Sequence, residues 1–196
     1  MGNIEGSYGS LPVPGGDDSG AFSQDIRVPQ NSARVPDRVG RGVYSTGIVV
    51  LSGPHEFMID FLLRLSSPQH VACRVIVPPT LMPLFIRALQ DNIANYTARF
   101  GPPPALPPIP PNQPKPPIEE IYDQLKVTDE VLMGAYANAM MVAHGPAEFC
   151  FDFICNGFPR SVVTARVYVA AHHAPRILES LQRSQEQRRP APPEER

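Results

Sequence analysis

Tryptophan is absent from this 196-residue chain, and cysteine occurs only three times, as Cys73, Cys150 and Cys155. An odd number excludes a complete intrachain disulfide framework. Cys73 and Cys150 fall on apolar-pattern positions and are expected to be buried thiols. No apolar run approaches the ~20 residues of a membrane-spanning helix, and no basic-then-apolar segment opens the chain. The expected setting is therefore the cytoplasm of a bacterial-type cell, without membrane contact. An excess of basic residues is lacking too. Lys and Arg total 17 against 19 Asp and Glu, with a pI of about 6.2, whereas nucleic-acid-binding domains often exceed a pI of ~9. Nucleic acid is thus disfavoured as a partner, although residues 35–101 carry more Arg than acid (Arg38, Arg41, Arg64, Arg74, Arg87 and Arg99 against Asp37, Glu56, Asp60 and Asp91). Nor is there a P-loop, GxGxxG, GxSxG, HExxH or CxxC spacing. No cofactor, metal or catalytic residue is expected from motifs.

Proline, by contrast, is abundant, with 25 residues. Much of it lies outside the apolar runs and divides the chain. Residues 1–34, rich in Gly, Ser, Pro and Asp, cannot bury enough apolar surface to offset chain entropy and are expected to be disordered. Residues 102–117 hold ten prolines and favour polyproline II, a stiff spacer of up to roughly 50 Å at about 3.1 Å per residue. A charged Pro/Glu/Arg tail occupies 188–196. Between these lie two ordered stretches, 35–101 and 118–187.

Those stretches are copies of one another. Shifting the chain by 92 residues aligns 35–92 with 127–184 without a gap, and about one third of the positions are identical. The matches include Gly42/Gly134, Tyr44/Tyr136, Gly53-Pro54/Gly145-Pro146, Glu56-Phe57/Glu148-Phe149, Asp60-Phe61/Asp152-Phe153, Arg74-Val75/Arg166-Val167 and Leu89-Gln90/Leu181-Gln182. Each copy reads as a meander closed by a helix. Val43–Leu51 and Ala135–Ala143 form apolar strands ended by Gly-Pro turns. Glu56–Leu63 and Glu148–Cys155 return, with Phe57, Ile59 and Phe61, and Phe149, Phe151 and Phe153, on one face by strand alternation. Val71, Cys73, Val75 and Val77, matched by Val163, Ala165, Val167 and Val169, face the same way on a third strand. Leu81, Leu84, Phe85, Ala88, Leu89 and Ile93 recur at helical spacing after Thr80, a candidate N-cap. Ile177, Leu178 and Leu181 repeat this from about His172. Short strands at Val35–Val39 and Val127–Val131 would add a fourth strand to each copy, and Ile118, Ile121, Tyr122 and Leu125 a helical turn before the second. The expected fold class is α+β: two tandem βββα or ββββα repeats. A unit of about 60 residues is marginal alone, so the copies are expected to pack as a pseudo-dimer.

The polar residues shared by the copies are Glu56/Glu148, Asp60/Asp152 and Arg74/Arg166. Glu and Asp lie on the strand face opposite the Phe row, with Arg on the neighbouring strand, so a cross-strand Asp–Arg pair can specify register or a surface. A paired-carboxylate site is the competing reading. His172 and His173 with His144 or a cysteine would be needed for a metal, at no recognised ligand spacing.

The motifs resemble the DUF3467 family. Gly134, Tyr136, Asn138, His144, Pro146, Glu148, Phe149, Asp152, Phe153 and Arg166 carry its pattern in the second copy. The first keeps Gly42, Tyr44, Pro54, Glu56, Phe57, Asp60, Phe61 and Arg74, with Asn92-Ile93 and Tyr96 at the helix end. It has Thr46 and Ser52 for the Asn and the turn His. Pro83 and Pro175 stand where the family commonly has Lys. The resemblance implies no activity. It implies that single-copy members dimerise and that this chain fuses the pair. The expected function is a non-enzymatic protein-interaction or assembly module, acting on a protein partner or by self-association. A single-stranded nucleic-acid binder of Whirly/PUR-like architecture is the alternative, and a hydrolase or metal enzyme the second.

Overall fold

A computed structural model describes residues 33–65, 67–107, 116–157 and 159–188. Most of the segments expected to be disordered, and the middle of the proline-rich connector, lie outside these. Arg34, placed at the end of the first such segment, is bonded in parallel beside Val162.

In chain order the first copy comprises α1 (Asp37–Gly40), β1 (Val43–Ser45), β2 (Gly47–Ser52), β3 (Phe57–Leu63), β4 (Gln69–Val77) and α2 (Met82–Phe100). After α3 (Ile118–Asp123) and β5 (Leu125–Lys126), the second comprises α4 (Asp129–Met133), β6 (Ala135–Tyr136), β7 (Ala139–His144), β8 (Glu148–Cys155), β9 (Val162–Ala170) and α5 (Ala174–Gln187). The mixed α+β pseudo-dimer expected from the repeat is what the chain forms, in two sheets. One runs β1-β9-β8-β7; the other runs β2-β3-β4, with β5 and β6 both added to β4.

Two expectations are corrected. Val35–Val39 and Val127–Val131 are not strands. Asp37 and Asp129 open short helices instead, following Pro36 and Thr128, where an acidic side chain suits the positive helix end. The fourth strand comes from the long apolar run, which breaks in two at Ser45-Thr46-Gly47 and at Ala137-Asn138. Its leading piece joins the other copy: β1 pairs in parallel with β9, and β6 with β4. The exchange is reciprocal, as in an isologous dimer with swapped elements.

The helices cross over as well. α2 lies against β7, α5 lies against β2, and the two helices touch. The Phe rows of the sheets meet, with Phe61 5.6 Å from Phe153 and 6.2 Å from Phe151 between ring centroids. Phe85 of α2 stands edge-on to Phe151 and Phe153, a favoured aromatic geometry. Both copies thus share one core, in which Phe57, Phe61, Phe149, Phe151 and Phe153 are completely or almost completely buried. Fully burying such a side chain stabilises by about 1.5–3 kcal/mol. Bulges fall at matching positions, Phe61/Leu62 and Phe153/Ile154, and Leu62 beside the first is fully buried.

Smaller differences follow from packing. α2 begins at Met82, one residue past Leu81, and Thr80 makes no cap. Leu84 is exposed, because the buried stripe runs through Leu81, Phe85 and Leu89. Cys73 and Cys150 are partly rather than fully buried. Among the described residues no helix is long and apolar enough to cross a membrane.

Because β9 takes its outer strand from the first copy, residues 116–188 expressed alone should form a homodimer at micromolar concentration, with β6 restored to a partner's β9. Light scattering after size exclusion reads the mass. A folded, stable monomer would contradict the exchange.

Candidate functional site

The strand register sets the shared polar residues. Asp60 stands opposite Arg74 and Asp152 opposite Arg166. Each pair is a two-pronged fork: Arg74 Nε and Nη2 donate to Asp60 Oδ1 and Oδ2 at 2.7 Å, and Arg166 repeats this on Asp152 at the same distances. Hydrogen bonding to the carboxylate raises both arginines above their ordinary pKa, so both stay charged. The first pair is the deeper. Asp60 is fully buried, and the Tyr122 hydroxyl on α3 donates to its Oδ2. Burial, then that hydrogen bond, raises the Tyr122 pKa. A third nitrogen, Arg74 Nη1, reaches the Leu132 carbonyl at 3.5 Å.

The exchanged strands cross directly above these arginines. Gly134, at φ +70°, leads into β6, and a Cβ there would meet Ile76 at 2.9 Å and Arg74 Cγ at 3.2 Å. Gly42, at φ +64°, leads into β1, and its Cβ would meet Tyr168 at 2.5 Å and Arg166 Cγ at 3.0 Å. Glycine answers both constraints at once, the left-handed backbone and the absent side chain.

Where the crossings converge there is a cleft of about 470 Å³. Its walls are pairs related by the 92-residue shift: Val39 with Val131, Val43 with Ala135, Ala72 with Thr164, and Arg38 with Glu130. It therefore sits on the pseudo-two-fold axis. Cys73 also lines it, its thiol pushed up to about 12 by burial and then by the Asp60 charge. Met133 of α4 lines it and stays exposed, as does its chain neighbour Leu132. Its apolar and charged lining suits recognition of a surface or a small molecule.

A family model of unknown function, DUF3467, matches residues 17–104 and again 108–187. The chain belongs to the DUF3467 family. No curated protein and no solved structure matches it.

The DUF3467 motif residues sort into three groups in space. Asp and Arg make the buried forks, and Gly permits the crossing. Glu56 and Glu148 sit apart from both, at the turns, where a Cβ on Gly53 or Gly145 would lie 2.1 or 2.3 Å from the glutamate Oε1. Glu56 and Asp60 are thus not brought together as a carboxylate pair. The helix-end residues Asn92 and Tyr96 of the first copy meet the turn of the second. Asn92 Oδ1 is 3.0 Å from His144 Nδ1, and the Tyr96 hydroxyl donates to the Pro146 carbonyl at 2.9 Å. His144 is thus engaged by Asn92 and packs against Tyr96 and Phe149. Among the described residues no three His, Cys, Asp or Glu side chains group as metal ligands. Sequence reasoning missed the cleft and the Tyr122 contact. The polar breaks at Thr46 and Asn138 inside the apolar runs were the signal for the exchange.

Asp60→Ala would strand a buried guanidinium and should cost about 3–5 kcal/mol. Asp152→Ala should cost less, since the Arg166 side chain is 21% exposed against 9% for Arg74. Urea unfolding compares them, and equal losses would contradict the difference in burial. Separately, at pH 8 Cys73 has almost no thiolate, so native protein should alkylate it far more slowly than unfolded protein. Mass spectrometry of iodoacetamide-treated samples reads this; equal rates would contradict its raised pKa.

Proposed function

We propose that this chain is a non-enzymatic protein-interaction module whose docking surface is the axial cleft. The observation that carries the reading is the placement of the cleft: it lies between the exchanged segments and is lined by exposed Met133, with exposed Leu132 next to it in α4. Exposed apolar side chains clustered beside a polar rim mark contact surfaces. The shared Asp and Arg residues support the same reading, because each is committed to the other beneath the surface, where it stabilises the platform.

The fused pair differs from a symmetric one at this surface. Arg38 and Glu130 occupy equivalent positions with opposite charge, and both line the cleft. A partner would therefore meet a polar, one-way surface and dock in a single orientation, as charge complementarity fixes register.

The test is to purify tagged wild type and a Leu132→Glu/Met133→Glu variant from the native host. Wild type should bring down a stoichiometric protein component, or associate with itself, and the variant should lose this with an unchanged melting temperature. Both side chains are exposed, so their replacement should leave the fold intact. Identical recovery by both proteins would overturn the cleft as the docking surface.

A further inference from the structure

A second cavity, of about 430 Å³, lies away from the axis and shares no lining residue with the cleft. It opens between the start of β2, the loop after β3 and the first turns of α5. Arg64, His173 and Arg176 converge on it, one from the first copy and two from the second, and among the described residues no acidic side chain lines it. Burial, followed by the charges of His172, Arg176 and Arg64, lowers the His173 pKa, as expected where positive groups face one another. One Arg176 nitrogen is bonded to the Pro107 carbonyl, which leaves the other donors of its five-donor fork. No hydrogen bond to the Arg64 guanidinium is made among the described residues. The two hydroxyls at the cavity are already committed: Thr46 donates to the Leu62 carbonyl and Ser180 to the Arg176 carbonyl.

The duplication supplies an internal control. At the positions related by the 92-residue shift, Arg64 becomes Asn156, His173 becomes Leu81, Arg176 becomes Leu84 and Ser180 becomes Ala88. The same backbone thus forms with no cation there. Packing does not require these charges. Helix electrostatics disfavours them as well, since His173 and Arg176 flank the positive end of α5, whose first turn has no acidic residue. Two guanidiniums beside an imidazole, kept on one side of a pseudo-symmetric body with no acidic side chain lining the cavity among the described residues, call for a counter-charge from outside.

We infer that this cavity binds a phosphate-class oxyanion, either free phosphate or the phosphate of a small phosphomonoester, through Arg64, Arg176 and His173. Guanidinium forks match the geometry of phosphate oxygens. The volume exceeds a bare phosphate and falls in the range of small-ligand pockets. This inference stands independently of the axial cleft.

Calorimetric titration of the full chain at constant ionic strength tests it, with inorganic phosphate, adenosine monophosphate, sodium chloride and a short single-stranded oligonucleotide as probes. Phosphate or the monoester should bind well above chloride. Arg64→Asn and His173→Leu, which install the residues of the other copy, should each weaken binding roughly tenfold or more with melting temperatures near wild type. Tighter binding of the monoester assigns the remaining volume to its organic group, and equal binding assigns free phosphate. Binding no stronger than chloride overturns the site, as does binding confined to the oligonucleotide or undiminished in both variants. Should either variant melt early, the phosphate-induced rise in melting temperature of wild type against chloride, and its absence in Arg64→Gln, decides the matter.

Discussion

Each copy presents a row of aromatic and aliphatic side chains that its own helix does not cover. Phe57, Ile59 and Phe61 on one sheet face Phe149, Phe151 and Phe153 on the other, and each helix lies against the first hairpin strand of the opposite copy. A meander of this size loses much of its driving force if that row meets water. The exchange of β1 and β6 adds backbone hydrogen bonds to the same dependence. Every other feature follows from it: the forks beneath the crossings, the glycines that let strands pass over them, and the cleft where the crossings meet. The two halves therefore interlock.

Fusion removes the requirement that both interfaces be identical. In one, Asn92 and Tyr96 of α2 engage His144 and the Pro146 carbonyl, and Tyr96 packs on Phe149. The related positions in the other are Ser184, Arg188, Ser52 and Pro54. There Arg188 donates to the Pro54 carbonyl at 2.8 Å and lies over the Phe57 ring. A tyrosine hydroxyl and a guanidinium thus do the same two jobs, bonding a turn carbonyl and covering a phenylalanine, the second by a cation–π contact. The Asn–His pair is missing on both sides of that interface together. Ser52 has no histidine to offer and Ser184 no amide, and losing both avoids leaving one polar partner unsatisfied.

Much of this was legible in the chain. The ungapped 92-residue shift implied two equivalent units, and the Phe spacing implied a buried sheet face. The Asp–Arg register followed from alternation along paired strands. The exchange was not legible, because a run such as Val43–Leu51 has the composition of one strand. Only the polar Ser45-Thr46-Gly47 interruption hints that it serves two sheets. The short helices at Asp37 and Asp129 were hidden by the flanking valines, whose strand preference is overridden by context. Tyr122 could not be found by comparing copies, since the related position in the sequence is Gln30. The cleft and the cationic cavity are properties of the packed pair, and residues from distant segments meet in each.

The positions that break the internal symmetry are therefore the informative ones. Residues that a pseudo-dimer needs for folding should recur in both copies, as Gly42/Gly134, Asp60/Asp152 and Arg74/Arg166 do. Chemistry that recurs is consequently architectural unless something else recruits it, and here the forks are fully engaged by their own partners. Charges present in only one copy have no such explanation. Arg38 against Glu130 in the cleft, and Arg64, His173 and Arg176 against Asn156, Leu81 and Leu84 beside α5, all lie where the shared backbone tolerates a different residue. Subtracting one copy from the other thus separates the residues that hold the fold from those left to recognise something outside it.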